Sequence, residues 1–209
     1  MFEDFVEKVS ELKVVPVVVL ESVEDAEDVA DALVKGGLPA AEVTLRTPCA
    51  LDCIAKMSEN KDILVGAGTV LSVKQADDAI AAGAKFIVSP GFDEEVVSHC
   101  IELGVPVIPG TVTPSEVIAA RKLGLTFTKF FPAGIYGGAK AIKALGSVFR
   151  DHKFMPTGGV NAQNLNEYLD LDCIVACGGT WLTKQDVIEA KDFNKIEQLA
   201  HEAKELANK

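Results

Sequence analysis

The chain has 209 residues, 48% of them hydrophobic, which is enough to bury a sizeable core with no linker to divide it, so one domain over residues 1–209 is expected. Its formal net charge of -11 excludes sequence-independent binding to nucleic acid or to an anionic membrane, because those surfaces demand clustered Lys and Arg. No apolar run reaches the ~18 residues of a spanning helix and the opening residues lack the basic and apolar regions of a signal peptide, so a cytoplasmic protein is expected.

An amphipathic helix is predicted over residues 2–12. Short apolar runs then alternate with helical patterns to the C-terminus, as parallel βα units require. The runs cover residues 14–20, 40–45, 63–68, 86–90, 106–110, 127–132, 154–158 and 174–178. Eight strands spaced by roughly 20 to 25 residues suit an α/β fold of the closed (β/α)8 TIM barrel type, preceded here by an additional N-terminal helix. A doubly wound open sheet shares this periodicity and is the competing architecture. Helical periodicity is found over 26–35, 76–82, 94–103 and 114–123, and Gly36, Gly83, Gly104 and Gly124 stand where a left-handed C-cap is needed. In a barrel the C-terminal strand ends and the loops after them form the active site.

Along the second strand, Ala41-Glu42-Val43-Thr44-Leu45-Arg46-Thr47 alternates strictly, placing Glu42, Thr44 and Arg46 on one face and Val43 and Leu45 on the other. Where helices cover the outer face, that polar face points inward. An inward carboxylate, hydroxyl and guanidinium are costly unless paired or solvated by a site, so they read as functional. The alternative is an edge strand with its polar face in water. The third and fourth strands end in Gly66-Ala67-Gly68-Thr69-Val70 and Ser89-Pro90-Gly91-Phe92, where glycine lets backbone approach a ligand.

The sixth run, Thr128-Lys129-Phe130-Phe131-Pro132-Ala133, sets one lysine among aromatic residues just before a turn. A free lysine has a pKa near ~10.4, and burial or a neighbouring cation that brought it to roughly 7 or 8 would raise the nucleophilic fraction about a thousandfold. Phe127 and Phe131 share the pleat face of Lys129 and could supply the desolvation. The alternative is a lysine whose stem runs past the rings into water. After the seventh and eighth strands, Gly158-Gly159 and Gly178-Gly179-Thr180 fit the phosphate site recurrent in this architecture, with Gly159, Gly179 and the Thr180 hydroxyl as donors beside a helix N-terminus.

Five cysteines in a chain too large to need disulfide staples read as reduced thiols. Cys49 and Cys53 recur at helical spacing, and Cys173 and Cys177 lie an even number apart within an apolar strand. Both pairs suit buried small hydrophobes, and with no His beside either one no metal site is expected. His99, His152 and His201 are scattered through helical or polar segments and are expected at the surface.

With these segments in place, the chain resembles the bacterial 2-keto-3-deoxy-6-phosphogluconate aldolases, which also act as 4-hydroxy-2-oxoglutarate aldolases, over nearly its entire length. The resemblance is carried by Pro16-Val17-Val18-Val19, Glu42-Val43-Thr44-Leu45-Arg46-Thr47, Gly66-Ala67-Gly68-Thr69-Val70, Ser89-Pro90-Gly91, Lys129-Phe130-Phe131-Pro132-Ala133, Pro156-Thr157-Gly158-Gly159-Val160 and Gly178-Gly179-Thr180-Trp181-Leu182. It implies a class I aldolase on a (β/α)8 barrel, a homotrimer acting on a phosphorylated 2-keto acid without cofactor or metal. It further implies that Lys129 forms the Schiff base and Glu42 is the general acid and base, with Arg46 and Thr69 near the keto-acid carboxylate and Pro90 lining the pocket. Phe131 joins the substrate-binding set, and Gly158, Gly159, Gly179 and Thr180 match the phosphate end. Many relatives have serine where this chain has Thr180, which keeps a hydroxyl and adds a methyl group.

In that chemistry neutral Lys129 attacks the 2-keto carbon, and the resulting imine accepts electrons as the C3–C4 bond breaks. Glu42 takes the C4 hydroxyl proton and returns one to the enamine before pyruvate is released. Arg46 opposes the substrate carboxylate and, if close, would favour the neutral amine by like-charge repulsion. The Cα atoms of Glu42 and Arg46 stand about 13 Å apart on a straight strand, so one side chain must curl. Three other readings compete. They are a metal-dependent class II aldolase, a phosphogalactonate-type aldolase of opposite C4 configuration, and a non-catalytic sugar-phosphate-binding barrel.

Overall fold

The computed structural model describes residues 2–209. In chain order the elements are α1 Glu3–Leu12, β1 Val14–Val18, α2 Ala26–Lys35, β2 Ala40–Thr44, α3 Ala50–Met57, β3 Leu64–Gly68, α4 Val73–Ala81, β4 Ile87–Val88, α5 Glu94–Glu102, β5 Val107–Ile108 and α6 Pro114–Lys122. They continue with β6 Phe127–Phe130, α7 Gly138–Val148, β7 Lys153–Pro156, α8 Leu165–Leu169, β8 Cys177–Gly179, α9 Gln185–Glu189 and α10 Phe193–Ala207.

The helices begin where the sequence offers caps. Ser72, Asp93 and Asp192 each accept a first-turn backbone N–H, and Thr113 forms a capping box with Glu116 behind Pro114. In α2 the buried Ala26, Val29, Ala30 and Leu33 recur at helical spacing, with Glu27 and Asp28 in the first turn and Lys35 in the last, where the helix dipole favours them. Gly83, Gly104 and Gly124 end their helices with positive φ as expected. At α2 the left-handed residue is Gly37, with φ of 80°, and Gly36 stays right-handed. Gly36 serves a different need, since a Cβ there would stand 2.5 Å from the Cβ of Ala200 on α10.

All strand pairs are parallel. Six form a curled sheet in the order β5-β4-β3-β2-β1-β8, and β6 pairs with β7. That order lacks the strand-order reversal of a doubly wound sheet. Single parallel bridges link Gly110 to Lys129, Phe154 to Ile174 and Thr157 to Gly178. β1 and β2 are buried along their whole length, as strands covered on both faces must be.

Two apolar layers result. Outward residues such as Val43, Val65 and Ala67 pack with helix residues such as Val29, Leu33 and Ile54. A second cluster joins Val15, Phe86, Val88, Ile108, Phe127 and Met155 with Phe5 of α1, whose ring lies 5.2 Å from that of Phe86. Helix α1 therefore packs against this inner cluster, and the polar inward residues of β2 and β6 follow further along the strands.

Three expectations fail on local detail. The eighth strand starts at Cys177, where pairing with Val14 begins, so Cys173 lies in the preceding turn. Strands β4 and β5 shrink to two residues each because only Ile87 and Val88 pair with Val107 and Ile108. His152 is fully buried. Its ring packs edge-on against Phe154 at 4.9 Å and its Nε2 lies 2.8 Å from Thr128 Oγ1, while charged Arg150, Asp151 and Lys153 around it give the segment a surface-like sequence.

Candidate active site

Strand β2 ends at Thr44, and β6 carries Lys129 one residue before its own end. Although 87 residues apart, the two meet, with Lys129 Nζ donating to Glu42 Oε1 at 2.8 Å. Their side chains are 6% and 1% exposed, so this is a buried ion pair. The backbone of Lys129 is fixed on both sides, its N–H donating to the Pro109 carbonyl at 2.9 Å and its carbonyl accepting from Thr111 N–H at 2.8 Å. Phe131 lies beside the amine, with its ring centre 5.3 Å from Nζ, whereas Phe127 belongs to the inner cluster around Phe5 and Phe86. Of the two routes to a reactive amine, burial or a neighbouring cation, the structure shows burial, and the charged group in contact with the amine is a carboxylate.

Room for this pair comes from β3. Glu42 is in register with Gly66, and Thr44 with Gly68. A Cβ on Gly68 would stand 2.5 Å from Glu42 Oε1, so only glycine leaves the carboxylate its place. Several polar atoms here are buried without a protein partner, namely Glu42 Oε2, Thr44 Oγ1 and Thr157 Oγ1. Buried polar groups are normally paired, so three orphans from β2 and the end of β7 ask for a polar ligand. Thr157 stands outside the site residues that the sequence assigns. Its signal was its place at a strand end just before two glycines.

Arg46 departs from the expected face. Strand geometry stops at Thr44, and the chain turns so that the Arg46 N–H donates to the Thr44 carbonyl at 2.8 Å. The exposed guanidinium then reaches the end of β3, where its Nε donates to Thr69 Oγ1 at 3.2 Å. Thr69 holds a positive φ of 60°, a conformation costly for a β-branched residue and concentrated at functional sites. Pro90 follows β4, and its carbonyl lies so close to Gly110 that a side chain there would collide.

At the other end of the site, the Thr157–Gly178 bridge sets the two glycine segments side by side. Gly158 and Gly159 both have positive φ, 88° and 84°, and a Cβ on Gly158 would lie 3.2 Å from the Phe131 ring. Gly178 and Gly179 lie within β8 instead of after it, paired with Val15 and Pro16. Gly179 makes space for the Trp181 ring, and Thr180 is exposed. The next helix, α9, begins only at Gln185, so a turn closed by Thr183 N–H on the Thr180 carbonyl at 3.3 Å stands where the helix N-terminus was expected.

Behind Lys129, Thr128 faces away from the amine into a buried chain in which its Oγ1 contacts Thr111 Oγ1 at 2.7 Å and His152 Nε2 at 2.8 Å. Burial, reinforced by the Arg121 charge and opposed by Asp151, pushes the His152 imidazole down to about 4. Among the described residues no group of three or more His, Cys, Asp or Glu side chains is arranged to hold a metal ion, and no helix is long and apolar enough to cross a membrane.

The model of the KDPG and KHG aldolase family matches residues 5–199. The 2-dehydro-3-deoxy-phosphogluconate aldolase of Treponema pallidum is 44% identical, over 96% of this chain and 96% of its own. Among solved structures, the 2-keto-3-deoxy-6-phosphogluconate aldolase of Zymomonas mobilis with 3-phosphoglycerate superposes with a TM-score of 0.92 at 42% identity, covering 97% of this chain and 95% of that one. The KDPG aldolase of Legionella pneumophila, with pyruvate captured at low pH as a covalent carbinolamine intermediate, gives 0.91 at 38% identity over 94% and 96%.

Proposed function

Because the chain belongs to the KDPG and KHG aldolase family, we propose that it is a class I aldolase, a carbon–carbon lyase, that cleaves 2-keto-3-deoxy-6-phosphogluconate to pyruvate and glyceraldehyde 3-phosphate. Cleavage of 4-hydroxy-2-oxoglutarate to pyruvate and glyoxylate is part of the same reading. The observation that carries it is the buried contact between Lys129 Nζ and Glu42 Oε1.

The amine of Lys129 passes its proton to Glu42 and attacks the C2 carbonyl of the substrate to give a carbinolamine; Glu42 returns that proton to the carbinolamine hydroxyl, water leaves, and a protonated imine stands beside a carboxylate that is ionised again. The imine draws the C3–C4 electrons as Glu42 removes the C4 hydroxyl proton, and the aldehyde departs. Glu42 then protonates C3 of the enamine, and hydrolysis frees pyruvate. The unpartnered Oε2 of Glu42 supports this role, since one oxygen is held by the amine while the other is buried with no protein partner and can accept a hydrogen bond from a substrate hydroxyl. Arg46, with Thr69 aligned by their hydrogen bond, pairs with the carboxylate, and Pro90 and Phe131 line the pocket. Gly158, Gly159, Gly179 and Thr180 hold the phosphate, a role supported by the adjacency of their segments.

The wider reading is a single domain whose eight strands close as a (β/α)8 barrel with α1 as an additional helix. It is supported by the parallel bridges that join β5 to β6 and β7 to β8. It includes a cytoplasmic homotrimer, for which Ile135, Tyr136 and Val148, 83%, 54% and 72% exposed, offer apolar surface.

The test is to add pyruvate and borohydride and map the peptides of the parent chain and of Lys129→Ala. A single pyruvyl adduct on Lys129, missing in the variant, is expected. A folded parent protein that takes no adduct would end the class I reading.

A further inference from the structure

We propose that Cys49 and Cys53 form a dithiol that a peroxide closes into a disulfide, and that closure displaces the turn carrying Arg46. Their sulfurs lie 3.8 Å apart. Cys49 caps α3 and Cys53 lies one turn inside it, so their Cα atoms are about 6 Å apart, within the range a disulfide spans. Bond formation needs the sulfurs to approach by less than about 2 Å, and because Cβ atoms at this helical spacing stand about 5–6 Å apart against about 3.8 Å in a disulfide, the backbone at Cys49 must shift toward Cys53 as the bond closes. Cys49 is half-buried and Cys53 buried, so a small oxidant meets Cys49 first. Burial, with Cys49 beside it, pushes the Cys53 thiol up to about 12, which keeps it a protonated resolving thiol until its neighbour is oxidised.

The chemistry balances with hydrogen peroxide as oxidant. The Cys49 sulfur takes one peroxide oxygen to give a sulfenic acid, and one water leaves. The Cys53 sulfur then attacks the Cys49 sulfur, the S–O bond breaks, and a second water departs with the Cys53 proton.

Both thiols are also structural donors. Cys49 Sγ donates to the Leu20 carbonyl at 3.3 Å and Cys53 Sγ to the Ser22 carbonyl at 3.7 Å. Thr47 Oγ1 shares the Leu20 carbonyl at 2.7 Å and lies 3.6 Å from Cys49 Sγ. A disulfide has no S–H, so closure removes both sulfur donors and pulls on the segment from Arg46 to Cys49. The effect on KM rests on the reading of Arg46 as the carboxylate-binding residue, whereas the disulfide itself does not.

The experiment treats the native chain with hydrogen peroxide, alkylates the remaining thiols after denaturation and digests with trypsin. Cleavage after Arg46 and Lys56 delivers both cysteines in one peptide, residues 47–56. That peptide should be lighter by two hydrogens and unalkylated, revert with dithiothreitol, and fail to form in Cys49→Ser or Cys53→Ala. Reduced, both variants should turn over at the parent rate. The oxidised parent should show a severalfold higher KM for the keto acid with kcat retained, and the treated variants should not. Sulfinic acid at Cys49 beside an alkylated Cys53 would overturn the dithiol. A closed disulfide with unchanged KM would overturn the link to Arg46, and the mass mapping reads the disulfide whether or not the chain is an aldolase.

Discussion

Gly68→Ala is the perturbation that most directly probes the pairing of Glu42 with Lys129. The new Cβ would stand 2.5 Å from Glu42 Oε1, 2.7 Å from Cγ and 3.0 Å from Cδ. Ordinary contact starts near 3.4 Å, so the carboxylate must retreat by roughly 0.9 Å. A shift of that size is about a third of the 2.8 Å contact itself, so the carboxylate no longer holds its place against the amine. Misplacement of a reacting group by about 1 Å costs on the order of a hundredfold in rate, and kcat should fall by that factor. Because the colliding atoms belong to the flexible end of a side chain, the fold should persist with its melting temperature nearly unchanged. Borohydride trapping of pyruvate should continue, since Lys129 keeps its place. Gly66→Ala serves as the control, for there the Cβ meets the rigid ring of Phe86, and stability should drop before turnover per folded molecule does. Steady-state kinetics and thermal melts on the two variants decide the matter, and a Gly68→Ala enzyme with parental kcat would refute the geometric argument.

Glu42→Gln should slow cleavage by about 10²- to 10⁴-fold while still allowing some pyruvate trapping on Lys129, and equal turnover by stopped assay would remove Glu42 from proton transfer. Thr157→Val replaces a buried hydroxyl that has no partner, so its melting temperature should hold or rise while kcat/KM falls; unchanged kcat/KM would place the hydroxyl outside substrate contact. The His152 imidazole, held down to about 4 when folded, titrates near ~6.5 when unfolded. The neutral ring thus contributes about 3 kcal/mol that is fully present above pH ~6.5 and is lost as pH falls toward 4. Denaturant melts across that window should show the loss in the parent and a flatter profile in His152→Gln, and matching profiles would assign the acid sensitivity elsewhere.

Residue types at the site were legible because their cost was legible. A carboxylate and a hydroxyl on the inward face of a doubly covered strand, or a lysine among phenylalanines, need a reason in any fold. Partnerships were not legible. Nothing local to Glu42 names Lys129, 87 residues away, and the choice between burial and a neighbouring cation at the amine is decided only by the packed structure, which shows burial and a carboxylate in contact. Arg46 kept its alternation on paper past the end of β2, because period-two patterning does not show where hydrogen bonding stops; the turn at Arg46 sends its guanidinium to Thr69. His152 was concealed by the opposite error, since its charged neighbours suggested water while its ring fills space between Thr128 and Phe154. Gly36 carried a helix-end signal that belonged to Gly37, and its own cause, the approach of α10, is a tertiary fact.

Strand β3 shows how the stable and reactive layers are divided. Its residues Val65 and Ala67 face the helices, while Leu64, Gly66 and Gly68 face inward in that order along the strand. Leu64 packs on the apolar cluster with Phe5, Gly66 receives the Phe86 ring, and Gly68 receives the Glu42 carboxylate. A single face thus passes from apolar side chain to aromatic slot to charged slot within five residues. The carboxylate is buried above a packed ring, which keeps water from reaching the ion pair from below, and the polar atoms left without a protein partner, on Glu42, Thr44 and Thr157, belong to the charged end of this face. Two glycines with ordinary strand pairing therefore do what no inward side chain could, and the repeated glycine spacing of Gly66-Ala67-Gly68 is explained by this requirement more fully than by backbone approach to a ligand.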